Sequence, residues 1–182
     1  MDHEDILLTL AEVSVALAGF SGVVAVFGRR DPGTWSFADR FRFFALVHTS
    51  LSSLLLCILP FGLLAFNIPE EAVWSALSAL FVVYNAVVGF FTSRRFLAAS
   101  SSERAEFTSG VMPVMFAILA PILVLSIFNV AVGGTFGPFL VALIYLLVLS
   151  SFLFARMLVS AFGAEDAASD GDDPVEPSES SR

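Results

Sequence analysis

Apolar stretches of about 20 residues recur five times along the chain, at about 7–27, 44–66, 72–91, 111–131 and 138–162. No other feature restricts the fold so strongly. A helix rises about 1.5 Å per residue, so each stretch is long enough to cross a hydrocarbon core of roughly 30 Å. The expected fold is an all-α integral membrane protein, a bundle of five transmembrane helices over residues 1–163. The alternative has four spans, with 7–27 lying on the membrane surface.

Composition points the same way. Hydrophobic residues make up 57% of the 182 and charged residues 14%, which leaves a soluble domain too little polar surface to cover its apolar mass. The lipid bilayer is therefore the first expected partner. The net charge of −8 is concentrated at the two ends, in Asp2, Glu4 and Asp5 and in a Pro/Ser-containing acidic segment. Residues 164–182 read as a disordered acidic tail. No basic patch suits nucleic acid. Lys is absent and all nine basic residues are Arg, which, with the Ala, Val and Asp bias, points to a high-GC prokaryotic genome. Cys57 stands alone, so no disulfide framework or cysteine metal site forms within one chain.

A cleaved signal peptide would need a basic start, whereas this one reads Met-Asp-His-Glu-Asp. The first stretch is expected to remain as a span. Arginine then sets the orientation. Arg29, Arg30, Arg40 and Arg42 follow the first span and Arg94, Arg95 and Arg104 the third, while 67–71 and 133–137 carry none. By the positive-inside rule the Arg-bearing loops are cytoplasmic, the N-terminus is outside and the tail is cytoplasmic, in a prokaryotic plasma membrane.

Local chemistry marks the edges. Asp31-Pro32-Gly33 is a turn, and Ser36 with Asp39 can cap a helix that runs through Phe41 and Phe44 into the second span. Trp35, Phe37, Phe41, Phe43 and Phe44 beside Arg40 and Arg42 suit headgroup depth. Asn67-Ile68-Pro69-Glu70-Glu71 makes a tight hairpin with two carboxylates at the positive end of the third helix. The segment 133–138, Gly-Gly-Thr-Phe-Gly-Pro, plays the same part before the fifth span. Ser100-Ser101-Ser102-Glu103 is a possible helix start. An offset of 61 carries Pro60, Tyr84, Phe91 and Arg95 onto Pro121, Tyr145, Phe152 and Arg156, as a parallel repeat of two hairpins would.

Enzyme signatures are missing. There is no His-Glu-x-x-His, Walker loop, Gly-x-Ser-x-Gly or Gly-x-Gly-x-x-Gly, and two His with one Cys make no conventional zinc site. No cofactor or metal is expected, and no catalytic residue. His48 with Ser52 one turn on is the nearest approach to a dyad, and on a membrane helix such a pair more often bonds a neighbouring helix. The candidate intramembrane polar residues are Glu12, Asn85 and His48. Glu12 is the sharpest, because an ionisable group inside a span has to pair, protonate or face water. Counted from a span starting near residue 7, it lies about a turn and a half in, close enough to one edge to reach headgroup water. Arg156 is expected to snorkel to the interface.

Ala11, Ser14, Ala18, Ser21 and Ala25 alternate at steps of three and four along the first helix, continuing to Gly28, with Gly22 four residues beyond Ala18. This stripe is the expected helix-packing face, since small residues let a second helix approach closely. The same segment, Ala11-Glu12 followed by Ala18-Gly19-Phe20-Ser21-Gly22, resembles the first helix of small prokaryotic multi-span membrane proteins with an Ala-Glu…Ala-Gly-Phe-x-Gly pattern. The likeness covers that helix alone. It implies a multi-span membrane protein, draws the eye to Glu12 and carries no activity. The expected role is a non-enzymatic self-associating or accessory subunit, a homo-oligomer or the companion of another membrane protein. The alternative is an ion channel or small-solute transporter using Glu12.

Overall fold

The computed structural model describes residues 2–27, 37–98 and 112–169. They form five helices: α1 (His3–Phe27), α2 (Phe37–Ala65), α3 (Glu70–Ala98), α4 (Met112–Val132) and α5 (Phe136–Ser169). No strand occurs among the described residues. Each helix contains a stretch long and apolar enough to cross a membrane: His3–Val23, Arg40–Ala65, Glu70–Arg95, Val114–Val132 and Phe136–Val159. The Asp31-Pro32-Gly33 turn, the Ser36 cap, Trp35, Gly28, Arg29, Arg30, Ser100–Glu103 and Arg104 lie outside the described residues.

Helix ends differ from the sequence expectation in α1, α3 and α5, with α3 running on to Ala98 rather than ending near residue 91. α1 starts at His3 rather than near residue 7, because Glu4 and Asp5 are first-turn carboxylates at the positive helix end and the Thr9 hydroxyl donates to the Asp5 carbonyl at 2.8 Å. α5 runs on to Ser169, into the segment expected as tail. The rest of that tail, 170–182, lies outside the described residues.

α5 packs against all four other helices, and 44% of its most apolar stretch is buried, against 11% for α4. It is the hub of the bundle. The main contacts of α1 are one helix from each hairpin, α2 and α5. α3 pairs chiefly with α4, while α2 leans on α1 and α5 and touches its own hairpin partner less. The core joins Leu7 and Ala11 of α1, Leu56 and Cys57 of α2, Val73, Trp74, Leu77 and Phe81 of α3, and Phe139, Leu143 and Leu146 of α5.

Both tight turns sit at the same end of the bundle, opposite Arg40 and Arg42 at the start of α2 and Arg94 and Arg95 at the end of α3. In the first, Asn67 takes φ 57° and its N–H donates to the Leu64 carbonyl at 2.9 Å, an αL residue ending α2. The N–H groups of Ala72 and Val73 then donate to the Pro69 carbonyl, so Pro69 stands at the start of α3. In the second, Gly133 and Gly134 have φ 103° and 70°, and the Gly134 N–H donates to the Asn129 carbonyl at 2.9 Å. An aromatic cluster covers this end. His3 stacks on Phe136 at 4.1 Å between centroids, and Trp74 meets Phe136 at 5.1 Å and Phe139 at 5.7 Å.

Candidate functional site

α1 has two faces of small residues, and the fold treats them differently. Ala11, Ser14 and Ser21 are buried and Ala18 is half-buried. The Ser14 hydroxyl donates back to the Leu10 carbonyl at 2.8 Å and lies 3.0 Å from the Ser53 hydroxyl of α2. Ser21 donates to the Ala18 carbonyl at 2.7 Å. Gly22 departs from the expected stripe, being exposed, with nothing near the position a Cβ would take. At 100° per residue it has drifted off the line through Leu7, Ala11 and Ser14. The side chain of Ala25 lies outside the described residues.

The Ser14–Ser53 contact also fixes the depth of Glu12. Ser53 stands midway along the α2 stretch Arg40–Ala65, so Ser14 is level with the middle of α2. Glu12 is two residues away, about 3 Å along the axis. It therefore lies near mid-depth of the bundle, deeper than its sequence position suggested, because α1 begins earlier than its apolar run. Its side chain is exposed on the side of α1 away from α2 and α5, with no hydrogen bond or ion pair among the described residues. Asp5, Leu8, Ala16, Gly19 and Val23 share that face at helical spacing and are all exposed. No atom outside α1 comes within 4 Å of a Cβ built on Gly19.

The other candidates sit elsewhere and do not converge with Glu12. Asn85 donates to the Phe81 carbonyl of its own helix at 2.9 Å rather than to a neighbouring one. His48 pairs with Tyr84 of α3: Nδ1 lies 2.5 Å from the phenolic oxygen, and the rings stack with centroids 5.3 Å apart. That contact, and not the Ser52 spacing, is what His48 makes across helices. Tyr145 likewise reaches the preceding helix, donating to the Met115 carbonyl at 3.2 Å. Arg156 is exposed.

Sequence reasoning missed two polar arrangements. Hydroxyls form a seam through the interior, where Thr49 lies 2.8 Å from Ser150 across α2 and α5. Ser50 and Ser126 are buried with no hydrogen-bond partner for their hydroxyls among the described residues. Small hydroxyls interleaved with apolar residues gave no periodic signal to separate them from outward-facing serines. The second is Asn129 of α4, whose amide donates to Ser78 at 2.8 Å and to the Thr135 carbonyl at 3.0 Å, while its oxygen accepts from the Thr135 N–H at 2.8 Å and hydroxyl at 3.2 Å. A polar residue four positions before a Gly-Gly turn was the available clue. Among the described residues no group of three His, Cys, Asp or Glu is placed to hold a metal ion.

No family model, curated protein or solved structure matches the chain.

Proposed function

We propose that this is a five-span protein of a prokaryotic plasma membrane, N-terminus outside, that acts by self-association through the outward face of α1. It is a non-enzymatic assembly subunit. One observation carries the reading: Glu12 stands near mid-depth on an exposed helix face with no partner among the described residues. In hydrocarbon a lone ionisable side chain at a helix centre costs about 3 kcal/mol, and a second helix bringing hydrogen-bonding groups to the same depth offsets that. Two copies related by an axis along the membrane normal meet this condition by symmetry, each presenting Glu12 at the same level. Ala16 and Gly19, on the same face, leave room for close approach.

Glu12→Gln, Glu12→Leu and Gly19→Leu, compared with wild type by mass in detergent and cross-linking in membranes, test the reading. The amide retains hydrogen-bonding capacity and size, so Glu12→Gln should stay assembled; Glu12→Leu should weaken assembly, by about 1–2 kcal/mol, and Gly19→Leu should block it sterically. A monomeric wild type, or three variants that assemble as wild type does, would overturn the proposal. So would a voltage-driven or pH-driven ion flux in reconstituted vesicles that Glu12→Gln abolishes with assembly unchanged. That result belongs to the channel reading, in which the carboxylate itself carries the function.

A further inference from the structure

α2 and α3 run in opposite directions and present the same order of side chains toward the arginine end of the bundle. On α2, His48, Phe44 and Arg40 follow one another at one-turn spacing, and all three are exposed. On α3, Tyr84 is followed by Phe91 and Arg95 at steps of seven and four, the last two exposed. His48 Nδ1 lies 2.5 Å from the Tyr84 hydroxyl, so the two series are joined at their deep end. From that pair toward the arginine end, Phe44 stands about 6 Å and Arg40 about 12 Å along α2, and Phe91 about 10 Å and Arg95 about 16 Å along α3. Arg94, whose guanidinium carbon lies 5.2 Å from the centre of the Phe90 ring, adds a third cation beside Arg95.

Arg40, Arg94 and Arg95 make no ion pair among the described residues, and the carboxylates of α3, Glu70 and Glu71, stand at its other end. Phe44 is 64% and Phe91 60% exposed. Interfacial anchoring explains an arginine or an aromatic ring at headgroup depth one at a time. It does not require the same order of arginine, phenylalanine and polar ring on two helices tied together at one level. The chemistry selects an occupant. Unpaired cations at the helix ends attract an anionic group, and the exposed rings beneath them lie within the apolar stretches of both helices, where a hydrocarbon chain covers them and a water-soluble anion does not. An anionic phospholipid carries both parts, and basic sites between membrane helices hold such headgroups. The acidic segment 170–182 matches the charge but offers only Val175, Pro174 and Pro177 to cover the rings.

We propose that the α2–α3 seam binds an anionic phospholipid, its phosphate held by Arg40 and Arg95 and an acyl chain laid against Phe44 and Phe91. The proposal rests on the membrane-protein reading and is independent of assembly through Glu12, which lies on α1 and nearer mid-depth.

Recovery of the chain in the membrane fraction, scored first, checks the membrane reading separately. Native mass spectrometry of the full chain in maltoside detergent then counts bound lipid during titration with dioleoylphosphatidylglycerol. Dioleoylphosphatidylcholine is the zwitterionic comparison and glycerol 3-phosphate the anion without chains. Phosphatidylglycerol should bind saturably and more tightly than phosphatidylcholine, and glycerol 3-phosphate should not displace it. Arg40→Gln with Arg95→Gln should weaken binding about tenfold, as loss of about 1.4 kcal/mol of attraction would, while far-UV circular dichroism stays near wild type. Arg156→Gln, at an exposed arginine of α5, should leave it unchanged. Phe44→Ala with Phe91→Ala should weaken it with every arginine in place. The same spectra give the oligomer mass, so lipid binding and assembly are read apart. Equal affinity for the two lipids, displacement by glycerol 3-phosphate, an Arg156→Gln loss as large as that of the double arginine variant, or unchanged affinity in either double variant would each overturn the proposal. So would a gain in affinity when Asp170, Asp172, Asp173, Glu176 and Glu179 become amides, if Arg40→Gln with Arg95→Gln removes that gain, because the acidic segment would then be the occupant.

Discussion

Replacing Gly134 by alanine should be among the most damaging single-methyl additions available to this chain. Gly134 has φ 70°, and a Cβ built there would lie 2.0 Å from the Glu71 carbonyl oxygen and 2.6 Å from the Ser75 backbone nitrogen. Both are main-chain atoms in the first turns of α3, so neither can swing aside as a side-chain tip would. The left-handed conformation alone costs alanine about 1 kcal/mol. Relieving the collision requires the α4–α5 turn to back away from α3 by about an ångström or more, since ordinary contacts begin near 3.4 Å, and overpacking of that kind costs about 1–3 kcal/mol. The same shift strains the Asn129 bonds that tie the turn to Ser78 and Thr135. The expected loss is about 3–5 kcal/mol. Two glycines serve as internal controls. Gly133→Ala meets nothing within 4 Å and carries only the strain of φ 103°, so it should cost about 1–2 kcal/mol. Gly62→Ala, within α2 and likewise open, should be neutral or stabilising by up to about 1 kcal/mol. Unfolding of the three variants in mixed micelles, titrated with SDS and followed by circular dichroism, ranks them. A Gly134→Ala variant no less stable than Gly133→Ala would refute the close approach of this turn to α3.

Asn129→Leu removes four hydrogen bonds at a buried site and should cost about 2 kcal/mol at the roughly 0.6 kcal/mol typical of such bonds in membrane proteins. Asn85→Leu, which gives up one bond to its own helix, should cost less than half as much, and equal losses in the same SDS titration would contradict the difference in their roles. For orientation, cysteines introduced at the exposed positions Glu71 and Arg94 in a Cys57→Ala background should react with a membrane-impermeant thiol reagent from outside and inside respectively; labelling of both from one side would refute the proposed crossing of α3.

The number of helices and the approximate place of each were legible in the sequence, because the length and apolarity of a segment are local properties. The run expected at about 72–91 falls within α3 and that at about 44–66 within α2 but for its last residue, and the turns around Asn67-Ile68-Pro69 and Gly133-Gly134 carry the residues that end or start a helix by their own backbone preferences. Helix ends beyond the apolar runs were less legible. Polar residues such as His3, Glu4 and Asp5 join α1 without any hydropathy signal.

Tertiary structure alone decided which way each helix faces. A helix that is apolar nearly all round has no polar face to turn outward, so its periodicity does not encode its rotation. On α1 the stripe through Ala11, Ser14 and Ser21 was the face expected to pack, but Ala16 and Gly19 place small residues on the other face as well. The packing of Leu7 and Ala11 into the core and the meeting of Ser14 with Ser53 settled the choice, leaving Glu12 outward near mid-depth. The partners of His48 and Asn129 were hidden for the same reason: Tyr84 lies 36 residues from His48 and Ser78 lies 51 from Asn129. Such pairs exist only once α2 meets α3 and α4 meets α3, through contacts distributed along whole helices rather than written in either segment.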